Sequence, residues 1–268
     1  MLEEESRSIE NKPFVKYRLT GIQGINIKNC EPINLESDNL EFIEVSESLD
    51  TITIFLKDNI NESDAWNSCE EFIFKYIISL IVNPDINVTI PEYKVDSYYN
   101  ISKQNTLNIN EYLRISDSAS FTRIYEGSEF VSNIVSECKT NVNAKNYLMY
   151  KKLYSIMRNQ DIVTKYLLLY DFLLDLVSIN KKRKEQKNIS DFVVANKLNE
   201  GINCIGFYKT RRKGCNFEED SFTYYRNEIA HAEFNNDFKM YEQASNNINN
   251  VFINKIVEVI NSILKRIN

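Results

Sequence analysis

Residues 161–179 read DIVTKYLLLYDFLLDLVSI, and this stretch decides the fold of the C-terminal part of the chain. On a helix it is apolar around most of its circumference, which is typical of a helix at the centre of a bundle. Apolar spacings of three and four residues predict further helices around it, over residues 144–158, 189–198, 217–234 and 238–266. Asn216 and Glu219 have the spacing of a capping box for the helix over 217–234. The sequence after about residue 120 therefore predicts an all-α bundle.

The first 120 residues have the patterns of a mixed α/β region. Residues 51–57 read TITIFLK, which places Ile52, Ile54 and Leu56 on one face of a strand. A helix predicted to begin near Ser63 ends before Pro84, because the residue before a proline leaves the helical region. Further strands are predicted over residues 13–20, 22–27, 40–45, 87–90, 95–101 and 106–109. The fold class predicted for the whole chain is α+β, with an antiparallel sheet in an N-terminal domain (1–120) and the helical bundle in a second domain (121–268).

The composition argues against several classes of protein. The 268 residues include only 6 glycines and 4 prolines, and neither G-x-G-x-x-G nor G-x-x-x-x-G-K-[ST] occurs, so we expect no nucleotide cofactor. One histidine and five cysteines without a C-x-x-C pair argue against a Cys/His zinc site, and we expect no metal. The cysteines are widely spaced, which is typical of free thiols in a cytoplasmic protein; they are Cys30, Cys69, Cys138, Cys204 and Cys215.

Neither the N-terminal residues nor the most apolar stretch of the sequence indicates a membrane protein. The N-terminus reads MLEEESRSIE, which is acidic and has no apolar core of the kind found in signal peptides. The most apolar stretch, residues 72–82, is too short to cross a bilayer. We therefore expect a cytoplasmic location and no membrane partner.

Positive charge is concentrated in one window of an otherwise acidic chain. Residues 181–213 contain ten lysines or arginines and three acidic residues, a net charge of +7, whereas the chain as a whole has −6. Such an asymmetry favours a site for phosphate groups. The residues predicted to form this phosphate site are Lys181, Lys182, Arg183, Lys184, Lys209, Arg211, Arg212 and Lys213. The alternative interpretation is two solvated loops that flank a short helix.

The only histidine lies in the helix predicted over 217–234. At 100° per residue, four positions share one apolar sector of that helix: Phe222, Tyr225, Ile229 and Ala232. Asn227 and His231 lie one turn apart on nearly the opposite side, and Arg226 lies on the flank. We therefore expect the His231 imidazole to face solvent or a second molecule, with one ring nitrogen held by a hydrogen bond to Asn227. Arg226 has the planar donor fork that suits phosphate.

The pattern Arg226-Asn227-x-x-x-His231 resembles the signature of the HEPN ribonucleases, R-x(4–6)-H with a polar residue after the arginine. Its place on the predicted penultimate helix of a small bundle is similar to that family, and the resemblance covers roughly residues 120–268. An α+β region ahead of the bundle resembles the Apea-like and abortive-infection HEPN proteins of bacteria.

The resemblance implies a metal-independent endoribonuclease with Arg226, Asn227 and His231 as its catalytic residues. In the family, two motifs face one cleft, so one motif per chain implies a homodimer. The ribose 2′-OH attacks the phosphate and leaves a 2′,3′-cyclic phosphate and a 5′-OH. The implied role is antiviral defence by abortive infection, or growth arrest as a toxin. RNA is the implied substrate, with tRNA as one candidate, and the basic residues named above would bind its phosphates. The N-terminal domain would then recognise a phage or host trigger.

One position departs from the family. HEPN toxins that pair with a nucleotidyltransferase have a tyrosine two residues after the histidine, whereas Ala232 and Glu233 follow His231 here. The departure argues against such a partner. Two other functions remain open: a non-catalytic HEPN-type RNA-binding or scaffold protein, and a sensor of small molecules or nucleotides in which the N-terminal sheet is the functional part.

Overall fold

The computed structural model describes residues 12–23, 25–100, 105–109, 123–200, 204–209 and 218–267. The chain forms two compact units, Met1–Tyr150 and Lys151–Asn268. The domain boundary expected between residues 120 and 121 lies outside the described residues. Four of the five cysteines are described, and Cys30, Cys69, Cys138 and Cys204 are free thiols.

The N-terminal unit is built on an antiparallel sheet of six strands in the order β3-β4-β5-β1-β6-β7. These strands are β1 (Phe14–Gln23), β3 (Ile33–Asn34), β4 (Leu40–Val45), β5 (Thr51–Leu56), β6 (Asn87–Asn100) and β7 (Asn105–Asn108). A separate parallel pair joins β2 (Ile25–Lys28) to β8 (Arg123–Glu126). The unit also contains helix α1 (Glu62–Val82), which packs against β4 and β6, and helix α2 (Gly127–Asn141), which packs against α1. The predicted α+β class and antiparallel sheet are confirmed.

The strands follow the hydrophobic alternation of the sequence. Ile52, Ile54 and Leu56 of β5 are buried as predicted. Phe55 lies on the opposite face of β5 and is buried too. Its ring stacks on the ring of Phe42, with the two centroids 4.3 Å apart. The two strands predicted over 87–90 and 95–101 form one long strand, β6, which pairs with β1 in the centre of the sheet.

The C-terminal unit is a helical bundle around α4 (Ile162–Ser178). The other helices are α3 (Tyr147–Met157), which spans the division between the units, α5 (Lys187–Ala195), α6 (Ser221–Asn235), α7 (Phe238–Ser245) and α8 (Asn250–Leu264). Helix α4 packs against α5, α6 and α8, and nine of its residues are buried, which confirms the central position predicted for it. The unit also contains a short antiparallel pair, β9 (Phe207–Lys209) and β10 (Glu218–Asp220), that helical periodicity did not predict.

The largest differences between the predicted helices and the observed ones occur in two places. The helix predicted from residue 217 begins at Ser221, because residues 218–220 form β10 and Asp220 is the N-cap. Asn216 lies outside the described residues, and Glu219 belongs to β10, so the cap predicted at this pair is supplied by Asp220 instead. The helix predicted over 238–266 is divided into α7 and α8, because Asn249 caps a new helix by accepting a hydrogen bond from the Phe252 backbone N–H.

Within the described ranges, no helix combines the length and the apolar character needed to cross a membrane.

Candidate active site

Helix α6 contains the Arg-Asn-x-x-x-His pattern, and its first turn is anchored by buried polar contacts. The Asp220 carboxylate accepts hydrogen bonds from the Thr223 backbone N–H at 3.0 Å, from the Thr223 hydroxyl at 2.8 Å and from the Ser190 hydroxyl at 2.6 Å. On α4, Tyr166 donates to the Phe222 carbonyl. Burial raises the pKa of Asp220, although its hydrogen bonds offset part of that effect. The start of α6 is therefore fixed to both α4 and α5.

The apolar side of α6 is the one that its sequence predicts. Phe222, Ile229 and Ala232 are buried. Tyr225 is half-buried and packs edge-on against Phe252 of α8, with ring centroids 5.5 Å apart. This side holds α6 against the rest of the bundle.

Asn227 is only 3% exposed, so the prediction that it faces outwards is wrong. Its amide Nδ2 donates to Gln186 Oε1 at 3.2 Å and to Glu219 Oε1 at 3.0 Å. Its Oδ1 accepts from Gln186 Nε2 at 3.0 Å and from Arg226 Nη1 at 3.3 Å. A side-chain amide has two donor hydrogens and two acceptor lone pairs, and all four are used here. The predicted hydrogen bond from Asn227 to the imidazole is therefore also wrong.

The reason is that a second surface of α6 is covered by two side chains from outside the helix, one of which is distant in sequence. Gln186 precedes α5, and Glu219, which is 1% exposed, lies on β10. Together they enclose the side of α6 that a helical wheel assigns to solvent. Neither residue was predicted to belong to the site, because no spacing in the sequence connects position 186 with position 227.

His231 and Arg226 are both half-exposed, as the helical wheel predicts. The imidazole of His231 has no hydrogen-bond partner within the described part of the chain. Arg226 and His231 are about 140° apart around the helix, with Asn227 between them at about 100° from Arg226. Since the guanidinium is bonded to Asn227, it turns towards the side of α6 on which His231 lies.

The predicted RNA-binding residues fall into three groups. Lys181, Lys182, Arg183 and Lys184 are exposed in the segment between α4 and α5, which ends at Gln186. Lys209 is exposed on β9, whereas Arg211, Arg212 and Lys213 lie outside the described residues. The Gln186–Asn227 contact places the end of the segment that holds the first group against α6, the helix that also contains Arg226.

Lys184 differs from its three basic neighbours. Its ammonium lies 2.5 Å from Asp175 Oδ1, and Lys152 is 3.4 Å from the other oxygen of the same carboxylate. Partial burial acts to raise the pKa of Asp175, but the hydrogen bonds and charges of Lys184 and Lys152 outweigh it and lower the pKa. The charge of Lys184 is thus already partly neutralised within the unit.

No family model, no curated protein and no solved structure matches this chain. The residues that the structure describes contain no group of three or more His, Cys, Asp or Glu side chains placed to hold a metal ion. The candidate site thus consists of the Arg226 guanidinium, the half-buried His231 imidazole and the basic segment that ends at Gln186.

Proposed function

We propose that the protein is a metal-independent endoribonuclease of the HEPN type, in which Arg226 and His231 act on the scissile phosphate. One observation supports this most directly. The guanidinium of Arg226 is hydrogen-bonded to the buried amide of Asn227, on the side of α6 towards a half-exposed imidazole that has no partner within the described residues. A cation held by a buried amide and an imidazole on the same helix suit phosphoryl transfer, because one group stabilises negative charge while the other transfers a proton.

The proposed chemistry requires no group beyond these side chains and the RNA. A histidine takes the proton of the ribose 2′-OH, O2′ bonds to phosphorus, and the bond from phosphorus to O5′ breaks. A second histidine donates the proton that the leaving 5′-oxygen needs, and Arg226 stabilises the charge on the phosphate oxygens. The products are a 2′,3′-cyclic phosphate and a 5′-OH. Since each chain has one histidine, the acid and the base come from two copies in a homodimer.

Asn227 has a positioning role in this proposal. It is buried and saturated with hydrogen bonds, so it holds Arg226 and does not contact the RNA. The exposed residues Lys181, Lys182 and Arg183 bind the phosphates beside the cut, through charges that Gln186 keeps next to α6. We assign to the N-terminal unit the recognition of a trigger, and to the whole chain a cytoplasmic role as a defence or toxin effector.

The decisive experiment compares purified wild-type protein with His231→Ala and Arg226→Ala on total RNA and tRNA in EDTA, followed by end-group analysis. We expect each substitution to lower cleavage by about 10²- to 10⁴-fold. Glu233→Gln, on an exposed residue of the same helix, is the matched control and should cleave at the wild-type rate. When wild-type and His231→Ala chains are mixed, cleavage should fall below the share of wild-type chains in the mixture. The reason is that a mixed dimer has only one of the two histidines that the site needs.

The same experiment identifies the alternative function. Asn227 and Arg226 also form a stabilising hydrogen-bonded cluster, which favours a scaffold or RNA-binding protein as the second candidate. That function predicts RNA binding without cleavage by the wild-type protein. Equal cleavage by wild-type and His231→Ala proteins of the same melting temperature would exclude this motif as the nuclease site.

A further inference from the structure

Three tyrosine rings cluster where β9 meets the first turn of α6. Tyr208 stacks on Tyr224, with ring centroids 4.5 Å apart and an angle of 21° between the planes. Tyr225 contacts both rings, at 5.8 Å from Tyr208 and 5.4 Å from Tyr224. We call these three residues the tyrosine platform.

The platform is held by contacts within the C-terminal unit and is partly open to solvent. The hydroxyls of Tyr208 and Tyr225 are 3.3 Å apart and hydrogen-bonded, and Tyr225 is anchored on Phe252 of α8. Tyr208 nevertheless remains 37% exposed, although a tyrosine that served the core alone would be covered. Rings that are already fixed lose little conformational entropy when a flat ligand stacks on them.

We propose that the tyrosine platform binds unpaired bases of single-stranded RNA by stacking. Every base has an aromatic face, whereas the bases of a duplex already stack on one another and present only their edges. The inference rests on the proposed function, because Arg226 directly follows Tyr225 on α6. A base on the platform would therefore lie near the phosphate that Arg226 binds.

Among the described residues of the β9–β10 hairpin, charge contributes little to binding at this position. Lys209 follows Tyr208 on β9, but Glu218 lies opposite Lys209 in the register of the hairpin, and both side chains are exposed. The two opposite charges offset one another in their attraction for phosphate. Stacking is consequently the main contribution of the platform to affinity. Its loss should weaken binding without changing the dependence of affinity on salt.

The experiment measures the affinity of the full chain for a labelled 12-nucleotide single-stranded RNA and for the same RNA as a duplex, by fluorescence anisotropy. All variants are made in the His231→Ala background so that the RNA stays intact. Tyr208→Ala and Tyr208→Leu should each weaken single-strand binding about tenfold, because the base loses the aromatic ring on which it stacks. The leucine variant retains apolar packing and shows whether an unfolded hairpin explains the loss.

Three comparisons decide the outcome. Tyr208→Phe, which keeps the ring, and Tyr154→Ala, which removes a half-exposed tyrosine of α3, should both bind within twofold of the parent. Duplex affinity should be unchanged in every variant. Unchanged binding by Tyr208→Ala, an equal loss with Tyr208→Phe, an equal loss for the duplex, or no binding by the parent overturns the inference. If wild-type protein fails to cleave RNA but binding depends on the Tyr208 ring, the proposed nuclease function fails and the platform stands.

Discussion

The side-chain amides of Gln186 and Asn227 form a reciprocal pair across 41 positions of sequence, with each residue both donating and accepting one hydrogen bond. The pair joins the end of the basic segment 181–186 to the residue that holds Arg226. A candidate phosphate-binding segment and a helix with a candidate catalytic arginine are thus linked through two side-chain amides, of which that of Asn227 is buried. Four predictions concern this arrangement and its surroundings.

Asn227→Ala should reduce both stability and cleavage. Removing the amide leaves the buried Glu219 carboxylate without this donor, and we expect a loss of about 1–3 kcal/mol in the free energy of unfolding by urea. It also releases Arg226, so kcat should fall more than KM rises. Gln243→Ala, at an exposed glutamine of α7, is the control and should change stability by less than about 0.5 kcal/mol. Full cleavage by Asn227→Ala would show that Arg226 needs no anchor.

Two helix N-caps should respond to pH with opposite signs. Burial raises the pKa of Asp220, so the folded state disfavours its ionisation, and the stability of wild-type protein relative to Asp220→Asn should fall as pH rises above about 4. Hydrogen bonds from Thr164 lower the pKa of Asp161, so stability relative to Asp161→Asn should instead fall as pH drops below about 4. Urea unfolding between about pH 3 and pH 7 measures both differences. Slopes of the same sign would contradict the assignment of Asp220.

Lys181, Lys182 and Arg183 should determine how RNA binding depends on salt. Changing all three to glutamine should weaken binding and reduce the slope of log K against log salt by about 2, because each phosphate contact on a single strand contributes about 0.7. Lys184→Gln should change the slope by less than one third of the change in the triple variant, because the ammonium of Lys184 already pairs with Asp175. Anisotropy titrations at several salt concentrations test this. An unchanged slope in the triple variant would support the interpretation of a solvated loop.

We expect Phe234 and Phe238 to lie in the interface of the proposed homodimer. They are 85% and 79% exposed, at the end of α6 and the start of α7, and Phe234 follows His231 by three residues. A second copy that brings its own motif to the site would cover them. Phe234→Glu should shift the protein from dimer to monomer in sedimentation experiments and lower cleavage while RNA binding persists. Val251→Glu, at another exposed apolar residue, should remain dimeric; equal dissociation of both variants would contradict this interface.

The sequence predicted those parts of the fold that depend on local periodicity. The alternation around Ile52 and Ile54 and the apolar circumference of α4 fixed a strand and a central helix, because burial follows the period of the backbone. The break between α7 and α8 was missed because Asn249 caps a helix within a stretch whose apolar spacing continues. In the candidate site, Arg226 and His231 are half-buried and lie off the apolar side of α6 on which Phe222 and Ile229 are buried. The burial of Asn227 was not predicted, since it depends on Gln186 and Glu219, whose approach only the tertiary fold determines.

The central place of β1 in the N-terminal sheet determines how this unit can assemble while the chain is being synthesised. One edge of β1 pairs with β5 and the other with β6, which begins at Asn87. Until both have left the ribosome, β1 presents unpaired backbone groups of the kind that capture strands of other chains. Pairing between distant strands is also slow to form. We therefore expect a nascent chain that stops before residue 87 to retain an open sheet edge at β1 that can pair with strands of other chains.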